Sequence, residues 1–311
     1  AFTSYDGDSV RVNIPAGTSA EQTDSIIRSS LPGSFGAKVA RLWNWSTENT
    51  AAAHGSYLIE RGQKAWRVAQ NIRRGRQTPV RVTFNNIRTL DQLAQRIAAQ
   101  LEISPEQFAA ACDSVLPERG YASAAQYPAA FIPDSYEFYW TAAPSAVVKR
   151  LAESRDKFWT DARRARAAEM GLRPVDIATI ASIVEEETAN KAERPIVARL
   201  YLNRLAKGMK LQADPTVKFA TGDFALRRIT GDHLRIPSPY NTYQHEGLPP
   251  GPIRIAEAST LQNVLDAPKH DYLYMCAKED FSGTHNFAAD YQTHLANARR
   301  YQAALNKRGI R

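Results

Sequence analysis

The amino-acid sequence predicts an α+β fold in two parts, with small α/β units over residues 1–120 and a mixed α/β domain over residues 121–311. Three observations support this prediction. A chain of 311 residues is longer than one ordinary domain core requires. In the first part, short segments with alternating apolar residues, typical of strands, alternate along the chain with amphipathic helical patterns. In the second part, longer helical patterns and loops predominate. A passage rich in Pro, Ala and Gly, residues 116–133, has the composition of a domain boundary.

The first part ends in a segment with a distinctive order of elements. Residues 80–113 predict a strand, a turn, a helix, and a second helix that Ser104 caps with Pro105 at its first position. This order resembles a LysM-type glycan-binding module, although Asn85-Asn86-Ile87 stands where that module usually has Gly-Asp-Thr. A generic small α/β module is the alternative. The preceding elements are strands at residues 10–14 and 55–59 and helices near residues 19–31, 37–45 and 65–73.

Composition describes a globular protein with an excess of positive charge. Its 43% hydrophobic and 23% charged residues exclude a disordered chain, and no apolar run approaches the ~20 residues that span a bilayer. The net charge of +8 favours anionic partners. The sequence has no basic cluster interleaved with aromatic residues, so a nucleic-acid partner is not expected.

Cysteine and histidine usage gives no indication of a metal or cofactor. Cys112 and Cys276 make neither a disulfide framework nor a metal cluster. The histidines lack the spacing of a motif such as HExxH. We therefore expect no metal and no cofactor, and a structural role for His285.

The stretch of residues 171–190, GLRPVDIATIASIVEEETAN, predicts the central helix of the second part. Pro174 suits a first helical turn, and Asp176 is a favourable charge there. At about 100° per residue, Glu187 lies above Ile180 on the apolar stripe, whereas Glu185 and Glu186 point away from it. Further helices are predicted over residues 145–170, 192–207 and 291–307, with a strand at residues 271–278 beside residues 284–287.

Glu187 is the candidate catalytic residue. A carboxyl group among apolar neighbours is poorly solvated, which disfavours its anion and raises its pKa. Such a group can act as a general acid for glycosidic chemistry at neutral pH. The alternative, a solvated acidic end of a helix, is the usual explanation of an acidic triplet.

A set of motifs in fixed order carries a resemblance to a known family. The motifs are ASIVEEETA (181–189), Glu193-Arg194, Asn203-Arg204-Leu205, GMKLQADPTV (208–217), PYNTY (239–243), GLPPGPI (247–253) and YLYMCA (272–277). Over the about 180 residues that contain them, the chain resembles the endolytic murein transglycosylase family, the YceG-like or MltG proteins of bacteria. The glutamate just before Thr in the SIVEEET-type motif is the family's catalytic acid, and it corresponds to Glu187.

The resemblance implies a lytic transglycosylase that cleaves the β-1,4 bond between N-acetylmuramic acid and N-acetylglucosamine without water. Glu187 would protonate the leaving oxygen and then take the proton of the muramic 6-hydroxyl, which forms a 1,6-anhydro end. Such cleavage inside strands would limit the length of nascent glycan. A glycosidase normally uses two carboxylates. Here the nucleophile belongs to the sugar, so one suffices.

Six further residues are candidates for binding the substrate, each with a structural alternative. Asp214, followed by Pro and Thr, has the pattern of a helix N-cap. Asn203 is predicted to point inward and to be hydrogen-bonded, with a structural role equally open. The PYNTY segment could be a rigid turn. The full set of candidates is Asn203, Gln212, Asp214, Tyr240, Asn241 and Tyr243.

The expected partners are peptidoglycan glycan strands and peptidoglycan synthases. By resemblance, one N-terminal transmembrane helix would hold the protein in the cytoplasmic (inner) membrane, with these residues on the periplasmic side. Two other functions stay open. One is a two-carboxylate hydrolase of the same bond, assisted by Asp214, and the other is a peptidoglycan-binding protein without catalytic activity.

Overall fold

The computed structural model describes residues 3–45, 50–226 and 228–309. Contacts divide the chain into two compact units. The first comprises Ala1–Phe84, Leu93–Ala111 and Asp134–Val148, and the second comprises Asn85–Gln92, Cys112–Pro133 and Lys149–Arg311. Both units contain helices and strands, so the structure has an α+β fold. No helix in the described ranges is long and apolar enough to cross a membrane.

The first unit begins with an antiparallel strand pair covered by helices. Its elements are β1 (Val10–Ile14), α1 (Ala20–Ser30), α2 (Gly33–Asn44), β2 (Gly55–Ile59) and α3 (Ala65–Arg73). In the strand pair Val10 lies opposite Ile59. Ser19 and Gln22 form a capping box that starts α1. The apolar faces of these elements close one core around the buried Trp43.

The segment predicted to resemble a LysM module has the expected order of elements. It contains β3 (Val80–Phe84), α4 (Leu90–Ala98) and α5 (Pro105–Val115), and Ser104 accepts from the Gln107 backbone N–H at 3.2 Å. The strand β4 (Asp134–Phe138) pairs antiparallel with β3, with Val80 opposite Phe138. The LysM assignment itself stays a prediction.

The compact units do not follow the boundary predicted at residue 120. Strand pairing explains the difference, because β4 belongs to the first unit through its hydrogen bonds with β3, 50 residues earlier in the chain. Such a long-range pairing leaves no mark in local composition. The passage at residues 116–133, predicted as the domain boundary, belongs mostly to the second unit and contains a short 3₁₀ helix, Ala124–Ala130, with buried Tyr127.

The second unit is mainly helical. Its elements are α6 (Pro144–Phe158, which the first unit shares), α7 (Asp161–Glu169), α8 (Pro174–Glu187), α9 (Arg194–Ala206), α10 (Asp214–Thr221), α11 (Ala258–Leu265), β5 (Tyr274–Ala277), β6 (His285–Ala288) and α12 (Tyr291–Lys307). The single helix predicted over residues 145–170 is two helices, because Thr160 caps a new start by accepting from the Arg163 backbone N–H.

Helix α8 lies at the centre of the second unit. Helices α9, α10 and α11 and the short helix Ala124–Ala130 all contact it. Every residue from Ile177 to Glu185 is buried as a result. Strands β5 and β6 form an antiparallel hairpin with Tyr274 opposite Ala288, and α12 packs on it. Helix α9, which corresponds to the helix predicted over residues 192–207, is largely buried.

Candidate active site

The C-terminal end of α8 carries Glu187, the residue that the sequence singles out. The helix begins at Pro174, and the Arg173 backbone N–H donates to the Asp176 carboxylate at 2.8 Å, which fixes the first turn. It ends at Glu187, since Thr188 already has an extended backbone. The carboxyl group therefore leaves the last turn of a packed helix, whose position is set by the core.

Glu193 fixes the chain just after the helix. Its carboxylate accepts from the Thr188 hydroxyl at 3.3 Å and from the His285 backbone N–H at 2.8 Å, and it contacts His285 Nδ1 at 2.9 Å. One buried carboxylate thus ties the turn after Glu187 to strand β6. Among the described side chains, no group of three or more His, Cys, Asp or Glu residues could hold a metal ion.

Glu185 and Glu186, predicted to point away from the core, are enclosed by arginines. The fully buried Glu185 side chain pairs with Arg254 at 3.0 Å and lies 3.7 Å from Arg194. Glu186, whose side chain is 12% exposed, pairs with Arg88 at 3.0 Å and with Arg254 at 2.8 Å. The prediction that only the third acid turns inward was therefore wrong. Neighbouring helices cover α8 on all sides, so its burial does not follow one stripe.

Glu187 differs from these two neighbours because no cation of the described chain forms an ion pair with it. Its Oε1 accepts a hydrogen bond from the buried Tyr201 hydroxyl at 2.8 Å. Burial raises the pKa of Glu187 to about 7, the Tyr201 hydrogen bond opposes this rise, and the charge of Asp214 adds to it. Near neutral pH the group is divided between acid and anion, so it can donate a proton and later accept one.

A cavity of about 230 Å³, which we name the tyrosine cavity, lies on one side of Glu187. Four of its lining residues are tyrosines, and flat aromatic rings with hydroxyl groups present both apolar faces and hydrogen-bonding atoms. The lining residues are Glu187, Leu200, Tyr201, Arg204, Leu211, Gln212, Tyr243, Tyr274, Met275, Tyr291 and His294.

Arg204 holds the wall of the tyrosine cavity together. Its guanidinium donates to the Lys210 carbonyl at 3.0 Å, to the Leu273 carbonyl at 3.0 Å and to Gln212 Oε1 at 2.6 Å. Gln212 has a positive φ of 52°, which is uncommon for a residue other than glycine. A backbone held in this region at a cavity wall is typical of functional sites.

A second cavity of about 550 Å³, which we name the mixed-charge cavity, also includes Glu187 in its lining. Among the described residues, three acids and two cations line it, whereas one acid and one arginine line the tyrosine cavity. The lining residues are Glu186, Glu187, Asp214, Pro215, Lys218, Leu226, Arg228, Ile229 and Tyr301. A long ligand that contacts Glu187 can therefore occupy space in two directions from it.

Asp214 is not the helix cap that its sequence pattern suggests. The N-cap of α10 is Ala213, and Asp214 is the first helical residue. The Tyr243 hydroxyl donates to its carboxylate at 2.6 Å. Asp214 and Tyr243 line different cavities, so this hydrogen bond joins the two beside Glu187.

Three predicted substrate-binding residues lie outside the linings of these two cavities. The Asn203 amide donates to the carbonyls of His270 at 2.7 Å and Tyr272 at 3.1 Å. The buried Asn241 amide donates to two carbonyls of the preceding loop and accepts from the Tyr243 backbone N–H at 3.0 Å. The Tyr240 ring packs on Phe219, with ring centres 4.7 Å apart. These three side chains hold loops in place.

Comparison with known proteins identifies the family. The YceG-like family profile matches residues 12–300. The chain belongs to the YceG-like family. A relative from Bacillus subtilis (strain 168) named endolytic murein transglycosylase is 27% identical over 327 residues, covering 96% of this chain and 86% of that protein. One of the same name from Streptococcus pneumoniae serotype 2 (strain D39) is 33% identical over 106 residues, covering 33% of this chain and 19% of that protein.

A solved structure shares the fold of this YceG-like chain. The crystal structure of a YceG-like protein from Listeria monocytogenes aligns with a TM-score of 0.60 at 24% identity, covering 93% of this chain and 98% of that one. The similarity extends over both compact units, so the two proteins have the same fold over nearly their whole length.

Sequence reasoning missed several residues of this YceG-like site. Tyr201 lies in the helix predicted over residues 192–207 but received no role there, although a buried tyrosine usually needs a partner for its hydroxyl. That rule could have drawn attention to Tyr201. Arg204 appeared in a motif without a role. Tyr274 likewise stood in the YLYMCA motif without a role. Tyr291 and His294 had no local signal, because helix α12 brings them to the cavity from far along the chain.

Proposed function

We propose that this YceG-like protein is an endolytic lytic transglycosylase of peptidoglycan, with Glu187 as its acid and base. The observation that carries the proposal is one carboxyl group with a pKa of about 7, held by a neutral tyrosine and lining two cavities. The names of the relatives, endolytic murein transglycosylase, support the same chemistry.

The proposed reaction uses one carboxyl group twice. Protonated Glu187 gives its proton to the glycosidic oxygen as the bond from C1 of N-acetylmuramic acid breaks, which leaves a free 4-hydroxyl on N-acetylglucosamine. The Glu187 carboxylate then takes the proton of the muramic 6-hydroxyl, and O6 bonds to C1. Glu187 is again protonated, and the product carries a 1,6-anhydro end. No water is consumed, because the nucleophile belongs to the sugar.

The surroundings of Glu187 suit both halves of this cycle. Burial favours the protonated form that starts the reaction, and the Tyr201 hydroxyl stabilises the anion that forms midway. An arginine in the place of Tyr201 would keep the group ionised and prevent proton donation. The cavities on two sides of Glu187 support cleavage within a strand, since sugar residues can extend beyond the cleaved bond in both directions.

The other predicted site residues receive two kinds of role in this proposal. Gln212, Asp214 and Tyr243 line the cavities and would bind the sugars directly, with the Asp214 carboxylate near the positive charge that develops at C1. Asn203, Tyr240 and Asn241 would act through the loops that they hold. Cleavage of this kind would limit the length of nascent glycan strands.

A two-carboxylate hydrolase is the second candidate function. The observation that favours it is that Asp214 and Glu187 line the same cavity. In that mechanism a water molecule would replace the muramic 6-hydroxyl, and the product would carry a reducing end.

Peptidoglycan lies outside the cytoplasm, and this sets the cellular part of the proposal. The protein would act on the periplasmic side of the inner membrane, held by an N-terminal transmembrane helix. Peptidoglycan synthases would be its neighbours, because nascent strands leave those enzymes.

The first test is mass spectrometry of the products from uncrosslinked glycan strands. We expect anhydro-muramic ends, one water lighter than reducing ends, from the wild-type protein and from Glu153→Gln, a control at an exposed position of α6. Glu187→Gln should lose this activity by on the order of 10³-fold. Reducing ends would support the hydrolase instead. Undiminished cleavage by Glu187→Gln would refute both mechanisms.

A further inference from the structure

Two cations in the mixed-charge cavity have no assigned role. Lys218 lies half-buried on α10, and Arg228 is exposed in the loop that follows α10. Neither forms an ion pair with a carboxylate in the part of the chain that the structure describes. Most other arginines near Glu187 are already engaged, such as Arg88 and Arg254 with Glu186.

The charges of this cavity leave a positive excess for a ligand. Arg88 and Arg254 already neutralise Glu186. Glu187 is uncharged in the protonated form that starts the reaction. Asp214 is then the one unpaired anion of the lining against the two cations Lys218 and Arg228. Cations in a partly enclosed cavity attract carboxylates more strongly than cations on an open surface.

The tyrosine cavity offers no comparable feature. Its one arginine, Arg204, has its donors directed at Lys210, Gln212 and Leu273. A ligand in that cavity meets tyrosines and an amide, which suit uncharged sugars. The two directions from Glu187 thus differ in charge, which distinguishes the two ends of a bound strand.

We infer that the mixed-charge cavity, through Lys218 and Arg228, binds the anionic substituent of a muramic acid residue next to the cleaved bond. This inference rests on the proposed function. The ligand is a carboxylate, which belongs to the stem peptide in peptide-bearing strands and to the lactyl group in strands without peptides. N-acetylglucosamine carries no such group, so the cations fix which sugar occupies this side of Glu187.

Binding without turnover tests the inference. Calorimetry with Glu187→Gln protein would compare three soluble disaccharides. One carries a stem peptide, one carries that peptide with its carboxylates converted to amides, and one carries only the free lactyl carboxylate. Adding Lys218→Gln and Arg228→Gln should weaken binding of a charged ligand roughly tenfold and leave the amidated ligand unchanged. Lys149→Gln with Arg150→Gln, at exposed positions of α6, removes the same charge elsewhere and should change nothing.

Each outcome has a definite meaning. Weaker binding of the stem-peptide ligand assigns the cations to the peptide, and weaker binding of the lactyl ligand alone assigns them to that group. Equal weakening of charged and amidated ligands, no weakening, or no binding at all would overturn the inference. These results leave the proposed function intact, because it depends on the anhydro ends that active protein releases. Wild-type protein that binds charged ligands but releases no anhydro ends would refute the function alone.

Discussion

Glu185 and Glu186, near the end of α8, have different partners from Glu187, which ends the helix. Glu185 and Glu186 each contact two arginines, whereas Glu187 contacts a tyrosine. All three follow one another on α8 and are largely removed from water. The difference lies in the partner. Burial raises the pKa of both Glu185 and Glu187, but the charges of Arg254 and Arg194 oppose the rise at Glu185, whereas the neutral Tyr201 hydroxyl opposes it at Glu187.

The arginine pairs also explain why the two structural acids are tolerated inside the protein. A buried charge is costly unless another charge and further hydrogen bonds compensate it. Glu185 has this compensation from Arg254, Arg194 and the Glu257 backbone N–H at 2.7 Å. Glu187 avoids most of the cost by binding a proton. The cost of burial is thus compensated by ion pairs at Glu185 and by proton binding at Glu187.

The largest effect is expected on stability, when the charge of the buried Glu185 is removed. Glu185→Gln removes the buried anion that Arg254 contacts besides Glu186 and that Arg194 contacts besides Glu257, and it should lower the free energy of unfolding by about 1 to 3 kcal/mol. Glu187→Gln should change it much less, because the amide can still accept from Tyr201. Urea denaturation of both variants, with Glu153→Gln as the control, measures the difference. Equal losses from Glu185→Gln and Glu187→Gln would contradict the distinction.

A smaller effect is expected on the pH dependence of activity. Tyr201→Phe removes the hydrogen bond that stabilises the Glu187 anion, so the pKa of Glu187 should rise. Since the proposed reaction begins with the protonated acid, the alkaline limb of the pH–rate profile should move to higher pH. The profile of anhydro-end formation would be compared with that of Tyr139→Phe, at an exposed position. An unchanged alkaline limb would show that Tyr201 does not set the acidity.

The smallest effect should have the opposite sign. Asp214→Asn removes a negative charge that raises the pKa of Glu187, so the alkaline limb should move to lower pH. Tyr243→Phe serves as the matched comparison, because it breaks the same Tyr243–Asp214 hydrogen bond and keeps the charge. If both variants shift the limb equally, the hydrogen bond rather than the charge is responsible.

The comparison also separates what sequence could predict from what it could not. Local signals predicted a helix that begins near Pro174 and carries Glu187, and the structure has a helix over Pro174–Glu187. Local signals failed for Glu185 and Glu186, because the partner Arg254 lies almost 70 residues further along the chain. A helix surrounded by others is buried without an apolar stripe, so periodicity could not reveal these pairs.

The same limit applies to the rest of the site and fold. Gln212, Asp214 and Tyr243 came from ordered motifs and line the cavities, whereas Asn203 and Asn241, from the same motifs, hold loops. A motif therefore does not distinguish residues that line a cavity from residues that hold a loop in place. The division into compact units could not be predicted for a related reason. It depends on the pairing of β4 with β3, and helices α4 and α5 separate these two strands in the sequence.

One consequence follows from the position of Tyr201 and Arg204 three residues apart on α9, which places them on one face of that helix. Tyr201 donates to the Glu187 carboxylate, and Arg204 donates to Gln212 on the wall of the tyrosine cavity. A shift of α9 by a fraction of its own pitch would therefore move both contacts together. Under the proposed function, substitutions that move this helix during evolution would reduce turnover, and selectivity would be adjusted more freely on the side where α10 and its following loop form the lining.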